Sequence, residues 1–100
     1  MARNLEEDLK REFNNKINYS LIKQTIKELK TMKEEEREKI MKDSYKKIPG
    51  KYEPEIRNLT LDFCNDRDFC RSVGINYNNI QTKDSRLIRN AVAYSVANSG

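Results

Sequence analysis

The chain has 100 residues, of which 36% are hydrophobic and 36% charged, and its 20 basic and 16 acidic residues leave a net charge of +4. This length fits one small domain with a thin core. No stretch reaches the ~18 apolar residues that a membrane-spanning helix needs. No basic and then apolar leader opens the sequence, so we expect a cytoplasmic protein that binds no membrane.

Several kinds of chemistry are excluded by residues that the chain lacks. It contains no histidine, which removes Ser-His-Asp and Cys-His relays. Its three glycines do not form the Gly-rich run of a phosphate-binding loop. The two cysteines, Cys64 and Cys70, are too few for a structural zinc site, and we expect both to be reduced. The sequence therefore predicts a protein that is not an enzyme and holds no metal or cofactor.

The first 48 residues contain neither Gly nor Pro and are rich in good helix formers. Asn4 is a suitable N-cap for a first helix. The narrow apolar stripe of this helix consists of Leu5, Leu9 and Phe13. Asn14-Asn15 and Asn18 then weaken the helix and predict a turn.

A second helix is predicted to begin near Asn18 or Ser20, and two interpretations of its far end are open. The segment Thr31–Glu34 matches a capping box, in which the Thr hydroxyl and the Glu carboxylate satisfy free amides reciprocally, so a third helix can begin at Thr31. Alternatively, one helix continues through the charged segment 33–39, held by opposite charges four residues apart. We favour the break. In both cases Pro49-Gly50 ends the helix.

The second half of the chain, residues 51–97, also has helical patterning. Pro54 suits the first turn of a helix, where its missing N–H costs nothing. Asn65 or Asp66 can cap a short helix after it. Gly74 suits the C-terminal cap of that short helix, where a left-handed backbone is needed.

The last helix is predicted to start at Thr82 or Asp84. Nothing in the sequence alternates with period two for long enough to predict a strand. We therefore expect one all-α domain over residues 1–100, a compact bundle of five or six short helices with no sheet. Its core is predicted to contain Ile26, Leu29, Ile56, Phe63, Phe69, Ile88 and Val92.

Residues 66–83 resemble the helix-turn-helix of DNA-binding proteins. In that family a small residue lies four positions before a turn glycine, where two helices touch, and apolar residues on both sides tie the helices to the core. The matching positions here are Cys70, Val73, Gly74, Ile75 and Ile80. The resemblance implies a second helix that begins near Asn76 and continues past Ile80.

The same resemblance implies a surface that reads DNA. Asn and Gln side chains can pair with adenine edges, whereas Lys and Arg can bind guanine or phosphate. The exposed residues of the second helix would be Tyr77, Asn78, Asn79, Gln81 and Lys83. The residues placed to bind the backbone on either side are Arg71, Arg86 and Arg89.

Two residues depart from the family pattern. The next apolar anchor, three positions after Ile80, is replaced by Lys83. Asp84 is more typical of a helix start than of a helix interior. Both departures indicate a second helix that is too short to enter a groove. Two helices joined at a glycine also form an ordinary packing turn in many small bundles, and this alternative stays open.

The favoured hypothesis is a small transcriptional regulator that binds nucleic acid, most simply duplex DNA. The alternative is a protein-binding inhibitor or adaptor of the compact, charged type that phages and mobile elements encode. A third is an assembly protein that forms a homodimer. The arrangement of the basic residues in segment 66–83 and in the last helix distinguishes the first hypothesis from the second. One continuous basic face favours DNA, whereas scattered basic residues beside an apolar or acidic patch favour a protein partner.

Overall fold

The computed structural model describes the backbone of residues 5–99 and the side chains of residues 7–99. Six α-helices are present in this range: α1 (Leu5–Asn14), α2 (Tyr19–Leu29), α3 (Glu34–Lys47), α4 (Glu53–Cys64), α5 (Arg67–Ser72) and α6 (Thr82–Ala97). Single turns of 3-10 helix lie at Gly50–Tyr52 and Tyr77–Asn79. No strand occurs between residues 5 and 99, so the predicted all-α bundle is confirmed. None of these helices is both long and apolar enough to cross a membrane.

The last helix, α6, is the centre of the bundle, and α2, α3 and α4 all pack against it. Four consecutive residues of α6, 90–93, are buried, which requires neighbours on every side of the helix. Two of the four are alanines, and such small side chains let the surrounding helices approach closely. All seven predicted core residues are at most 4% exposed, so the predicted core is confirmed.

The first helix, α1, is attached near its C-terminal end. Phe13 is 1% exposed, and its ring centroid lies 5.9 Å from that of Tyr52. The Tyr52 hydroxyl also donates a hydrogen bond of 2.5 Å to the Glu12 carboxylate. The predicted N-cap Asn4 and the side chain of Leu5 lie outside the described residues.

Short polar side chains start two of the helices at the predicted places. The side-chain oxygen of Asn18 accepts the Leu21 N–H at 3.0 Å and caps α2. Asp66, rather than Asn65, caps α5 by accepting the Phe69 N–H at 3.0 Å. Each bond satisfies one of the free amides of a first turn, which explains why these helices begin where they do.

The break between α2 and α3 is confirmed, but its predicted start at Thr31 is wrong. The Thr31 hydroxyl donates to the Glu28 carbonyl at 2.7 Å, so it completes the end of α2. The next helix begins only at Glu34. The guanidinium of Arg37, in the first turn of α3, reaches back to the Leu29 carbonyl and closes the corner. This bond explains why a charged segment turns instead of continuing straight into solvent.

Candidate nucleic-acid interface

The predicted turn after α5 is present at Gly74, where φ is +72°. The Ile75 N–H bonds to the Cys70 carbonyl at 2.9 Å and the Gly74 N–H to the Arg71 carbonyl at 3.3 Å, which is the Schellman pattern. The ammonium of Lys30, at the end of α2, donates to the Gly74 carbonyl at 2.8 Å. The turn is therefore held both locally and by a distant helix.

The predicted second helix of the helix-turn-helix is absent, and that part of the prediction is wrong. Only Tyr77–Asn79 is helical, as one 3-10 turn, and Ile80 is extended. Asn76 starts this turn by accepting the Asn78 N–H on its side-chain oxygen at 3.1 Å. Asn76, which was predicted to lie at the start of the second helix, therefore caps a single 3-10 turn.

A second cap prevents the 3-10 turn from growing into a helix. The Asp84 carboxylate accepts the Gln81 N–H at 2.9 Å, and α6 begins at Thr82. This is the reciprocal bond of a capping box, and it fixes Gln81 in an extended conformation just before the helix. The helical stretch of segment 76–81 is thus limited to a single turn.

The partner of α5 is α4, not a recognition helix. The Cys70 thiol lies 3.4 Å from the Phe63 carbonyl of α4. The rings of Phe63 and Phe69 stack with their centroids 4.0 Å apart. The small side chain at position 70 therefore permits a close approach, as predicted, but to a different element.

Segment 76–81 and its neighbours form two adjoining hollows that share Gly74 and Asn76. The smaller, of about 570 Å³, is called here the arginine hollow. Its lining residues are Arg67, Arg71, Gly74, Ile75, Asn76, Tyr77 and Asn78. The larger, of about 670 Å³, lies between α3 and the start of α6 and is called here the α3–α6 groove.

The arginine hollow combines positive charge with an aromatic ring. The guanidinium carbon of Arg67 lies 5.3 Å from the centroid of the Tyr77 ring. Arg71 follows one turn later on α5 and is exposed, and its side chain has no hydrogen bond or ion pair in the described chain. No acidic side chain lines the hollow. Two cations at this spacing beside a ring form a suitable site for an anionic, planar ligand.

The α3–α6 groove has mixed charge. The site residues on its α6 side are Asn79, Gln81, Lys83 and Arg86. Lys83 and Arg86 are exposed and form no hydrogen bond or ion pair in the described chain. Glu34 and Glu38 of α3 lie on the same groove. Deeper in it, Asn90 is 4% exposed and its side-chain oxygen has no partner among the described residues.

Arg89 lines neither the arginine hollow nor the α3–α6 groove. Its Nε donates to the Tyr45 hydroxyl at 2.8 Å, and its Nη2 lies 3.3 Å from the Glu53 carboxylate. Its guanidinium also lies over the Tyr45 ring, 5.6 Å from the centroid. The charge of Arg89 is used to tie α6 to α3 and to the start of α4, so it is not free to bind phosphate.

The structure thus divides the predicted site residues among three places. Arg71, Tyr77 and Asn78 line the arginine hollow, the four residues of the α6 side line the groove, and Arg89 lies elsewhere. Sequence reasoning missed Arg67 and assigned Asn76 only to a helix start. The available signal for Arg67 was its spacing of four residues from Arg71, which places both on one helix face.

The two thiols offer little nucleophilic chemistry. Burial raises the pKa of the Cys70 thiol, and the pKa of Cys64 is raised by burial and by the charge of Asp84. Both thiols therefore stay protonated at neutral pH, and the thiolate is the reactive form. Between residues 7 and 99, no three His, Cys, Asp or Glu side chains form a group that could hold a metal ion.

Comparisons with known proteins gave no relative: no family model, no curated protein and no solved structure matches this chain.

Proposed function

We propose that this protein binds nucleic acid through the surface formed by the arginine hollow and the first turns of α6. One observation carries the proposal. Four basic side chains surround segment 76–81, and none of them is hydrogen-bonded or ion-paired within the described chain. These four are Arg67, Arg71, Lys83 and Arg86. Three other cations, Lys30, Arg37 and Arg89, instead contact groups inside the fold.

In this proposal the four cations bind phosphates and segment 76–81 contacts bases. Phosphate binding supplies most of the affinity, because each neutralised phosphate releases counterions. The amides of segment 76–81 can donate to and accept from base edges. The Gln81 side chain donates to the Asn79 side-chain oxygen at 2.9 Å, which holds these two amides in a fixed relation. Base contacts would then come from a short loop, since no recognition helix is present in segment 76–81.

The proposed biological role is regulation of transcription by occupancy of a nucleic-acid site. The proposed binding surface holds neither a histidine nor a reactive thiolate. In this proposal the protein acts by binding alone. Its presence on the nucleic acid excludes or recruits other proteins.

A mobility-shift titration over a range of salt concentrations tests the proposal. With four contacts to duplex DNA, log affinity should fall against log salt with a slope of roughly −3 to −4. Arg86→Ala should weaken binding to all sequences alike and flatten that slope by about one unit. The matched control is Arg57→Ala, because Arg57 is exposed on α4 and its side chain is ion-paired only with Glu53 among the described residues. Failure of micromolar protein to retard any nucleic acid at ~50 mM salt would remove the proposal.

A second candidate, the protein-binding inhibitor or adaptor, is favoured by a different surface. Leu61 of α4 is 56% exposed and lies in a hollow of about 490 Å³ between α1 and α4. Contiguous exposed apolar surface is typical of protein contacts, and the partly buried Leu59 lines the same hollow as Leu61. Leu61→Ser should then abolish capture of a host protein that the wild type and Arg71→Ala both capture. Equal capture by Leu61→Ser would exclude this surface.

A further inference from the structure

The arginine hollow differs from the α3–α6 groove in both charge and shape. The groove carries carboxylates from α3, whereas the hollow is lined by two arginines, one tyrosine, two asparagines and two apolar or small residues. Its volume of about 570 Å³ falls in the range of small-ligand sites, which is roughly 300–1,000 Å³.

We propose that the arginine hollow holds one unpaired nucleotide, with its base stacked on the Arg67–Tyr77 pair and its phosphate bound by Arg71. This inference rests on the proposed nucleic-acid function and names the form of nucleic acid that the surface selects. An unpaired base exposes its flat face and its hydrogen-bonding edge, both of which a duplex hides.

Stacking is the first part of the argument. The Arg67 guanidinium lies over the Tyr77 ring at 5.3 Å, while the rest of the Arg67 side chain is exposed to solvent. Guanidinium planes and aromatic rings are the two platforms on which proteins stack unpaired bases. Tyr77 is half-buried and packs against the core, so the platform is anchored rather than free to rotate.

Charge and hydrogen bonding complete the argument. Arg71 lies one helical turn from Arg67 on the same side of α5 and has no partner in the described chain. Asn76 and Asn78 line the same hollow, where side-chain amides can meet a base edge. Gly74 shapes the floor through its left-handed backbone, and a Cβ there would lie 2.9 Å from the Lys30 ammonium.

The test compares three DNA probes of about 12 nucleotides by fluorescence anisotropy with the full chain. The probes are a mixed-sequence single strand, the duplex of the same sequence, and the single strand with several abasic positions. The expected result is tighter binding of the single strand than of the duplex, and about tenfold weaker binding of the abasic strand. The same strand made as RNA identifies which nucleic acid supplies the base, and a preference of either strand over the duplex supports the proposal.

Arg67→Lys tests the assignment to this hollow because it keeps the charge but removes the planar guanidinium. It should lower affinity for the intact single strand by about tenfold, leave the abasic strand unaffected and leave the salt slope unchanged. Arg57→Lys on α4 is the matched control and should bind like the wild type. Circular dichroism melts confirm that each variant is folded.

The outcomes separate this inference from the function on which it rests. Duplex binding as tight as single-strand binding, with no effect of abasic positions, overturns the inference and leaves the proposed function in place. Wild-type affinity of folded Arg67→Lys for the intact strand overturns it as well. Absence of binding to every probe at ~50 mM salt removes the proposed function together with the inference.

Discussion

The bundle around α6 and segment 66–81 are built by different kinds of residue. In the bundle, apolar side chains recur at helical spacing, and α2, α3 and α4 bury them against α6. In segment 66–81, side chains of Asn and Asp decide where each helix begins. The difference shows that periodicity predicts what is buried, whereas short polar side chains predict where a helix begins.

The largest expected effect lies in the bundle. Ile88 is completely buried at the centre of α6, so Ile88→Ala should lower the free energy of unfolding by about 2–5 kcal/mol. Ile80→Ala is the counterpart in segment 66–81, and since Ile80 is only half-buried its cost should be clearly smaller. Urea unfolding of the two variants measures both values. Equal costs would show that segment 66–81 is as tightly packed as the bundle.

The turn glycine should give the next largest effect. Gly74→Ala should cost about 1–2 kcal/mol, because φ at this position is +72°, a left-handed backbone conformation that is strained for a residue with a Cβ. Gly50→Ala is the matched control, since nothing lies within 4 Å of the added Cβ and φ is not positive. It should leave stability unchanged or raise it by about 0.4–1 kcal/mol. Thermal melts of both variants report the difference, and a neutral Gly74→Ala would contradict the tight turn.

Removal of a helix cap should lower the free energy of unfolding by less than Gly74→Ala does, and by the same amount in both regions. Asp66→Ala in segment 66–81 and Asn18→Ala at the start of α2 each remove one side-chain bond to a first-turn amide. Each should lower stability by about 1 kcal/mol. Urea titrations measure the pair side by side. A negligible loss for Asp66→Ala alone would mean that packing against α4, not the cap, fixes the start of α5.

The difference between the two regions also explains how much the sequence could predict. Every residue predicted to be in the core is buried, because burial follows apolar spacing over whole helices. The helix-turn-helix resemblance was right about the turn at Gly74 and wrong about the helix after it. The signal against that helix was visible in Asp84, which caps α6 by bonding to the Gln81 N–H. A cap of this kind acts within a few residues and overrides a loose match of apolar positions.

The site was predicted less well than the core, for a physical reason. Arg86 and Arg89 lie three residues apart on α6 and look alike in the sequence. Their roles differ because Tyr45 and Glu53, from distant parts of the chain, approach only Arg89. Arg67 was missed because its stacking partner Tyr77 lies across the Gly74 turn. Tertiary contacts decide which charged side chains remain unpaired, and the spacing of residues along a helix does not predict those contacts.

The smallest expected effect extends the comparison to α1. The hydrogen-bonded pair Tyr52 and Glu12 helps to attach this helix to the bundle. The Tyr52 hydroxyl lowers the pKa of Glu12 by donating to its carboxylate, with a further contribution from the charge of Lys51. Burial and the Glu12 carboxylate raise the pKa of Tyr52 to about 12. The stabilising form of the pair therefore has Glu12 charged and Tyr52 protonated.

The two shifts predict a window of pH in which the pair stabilises the fold. On the acid side its contribution is present above the ordinary Glu pKa of 4.5 and is lost as pH falls through the lowered value. On the basic side it is present below the ordinary Tyr pKa of 10 and is lost as pH rises toward about 12. Tyr52→Phe removes the bond, so its melting temperature should lie below that of the wild type inside this window and converge with it at both ends.

Tyr94→Phe is the matched control, because the Tyr94 hydroxyl has no partner in the described chain, and its difference from the wild type should not vary with pH. A difference near zero for Tyr52→Phe at every pH would mean that the ring packing against Phe13, which the variant retains, attaches α1 to the bundle, and that the bond to Glu12 contributes little.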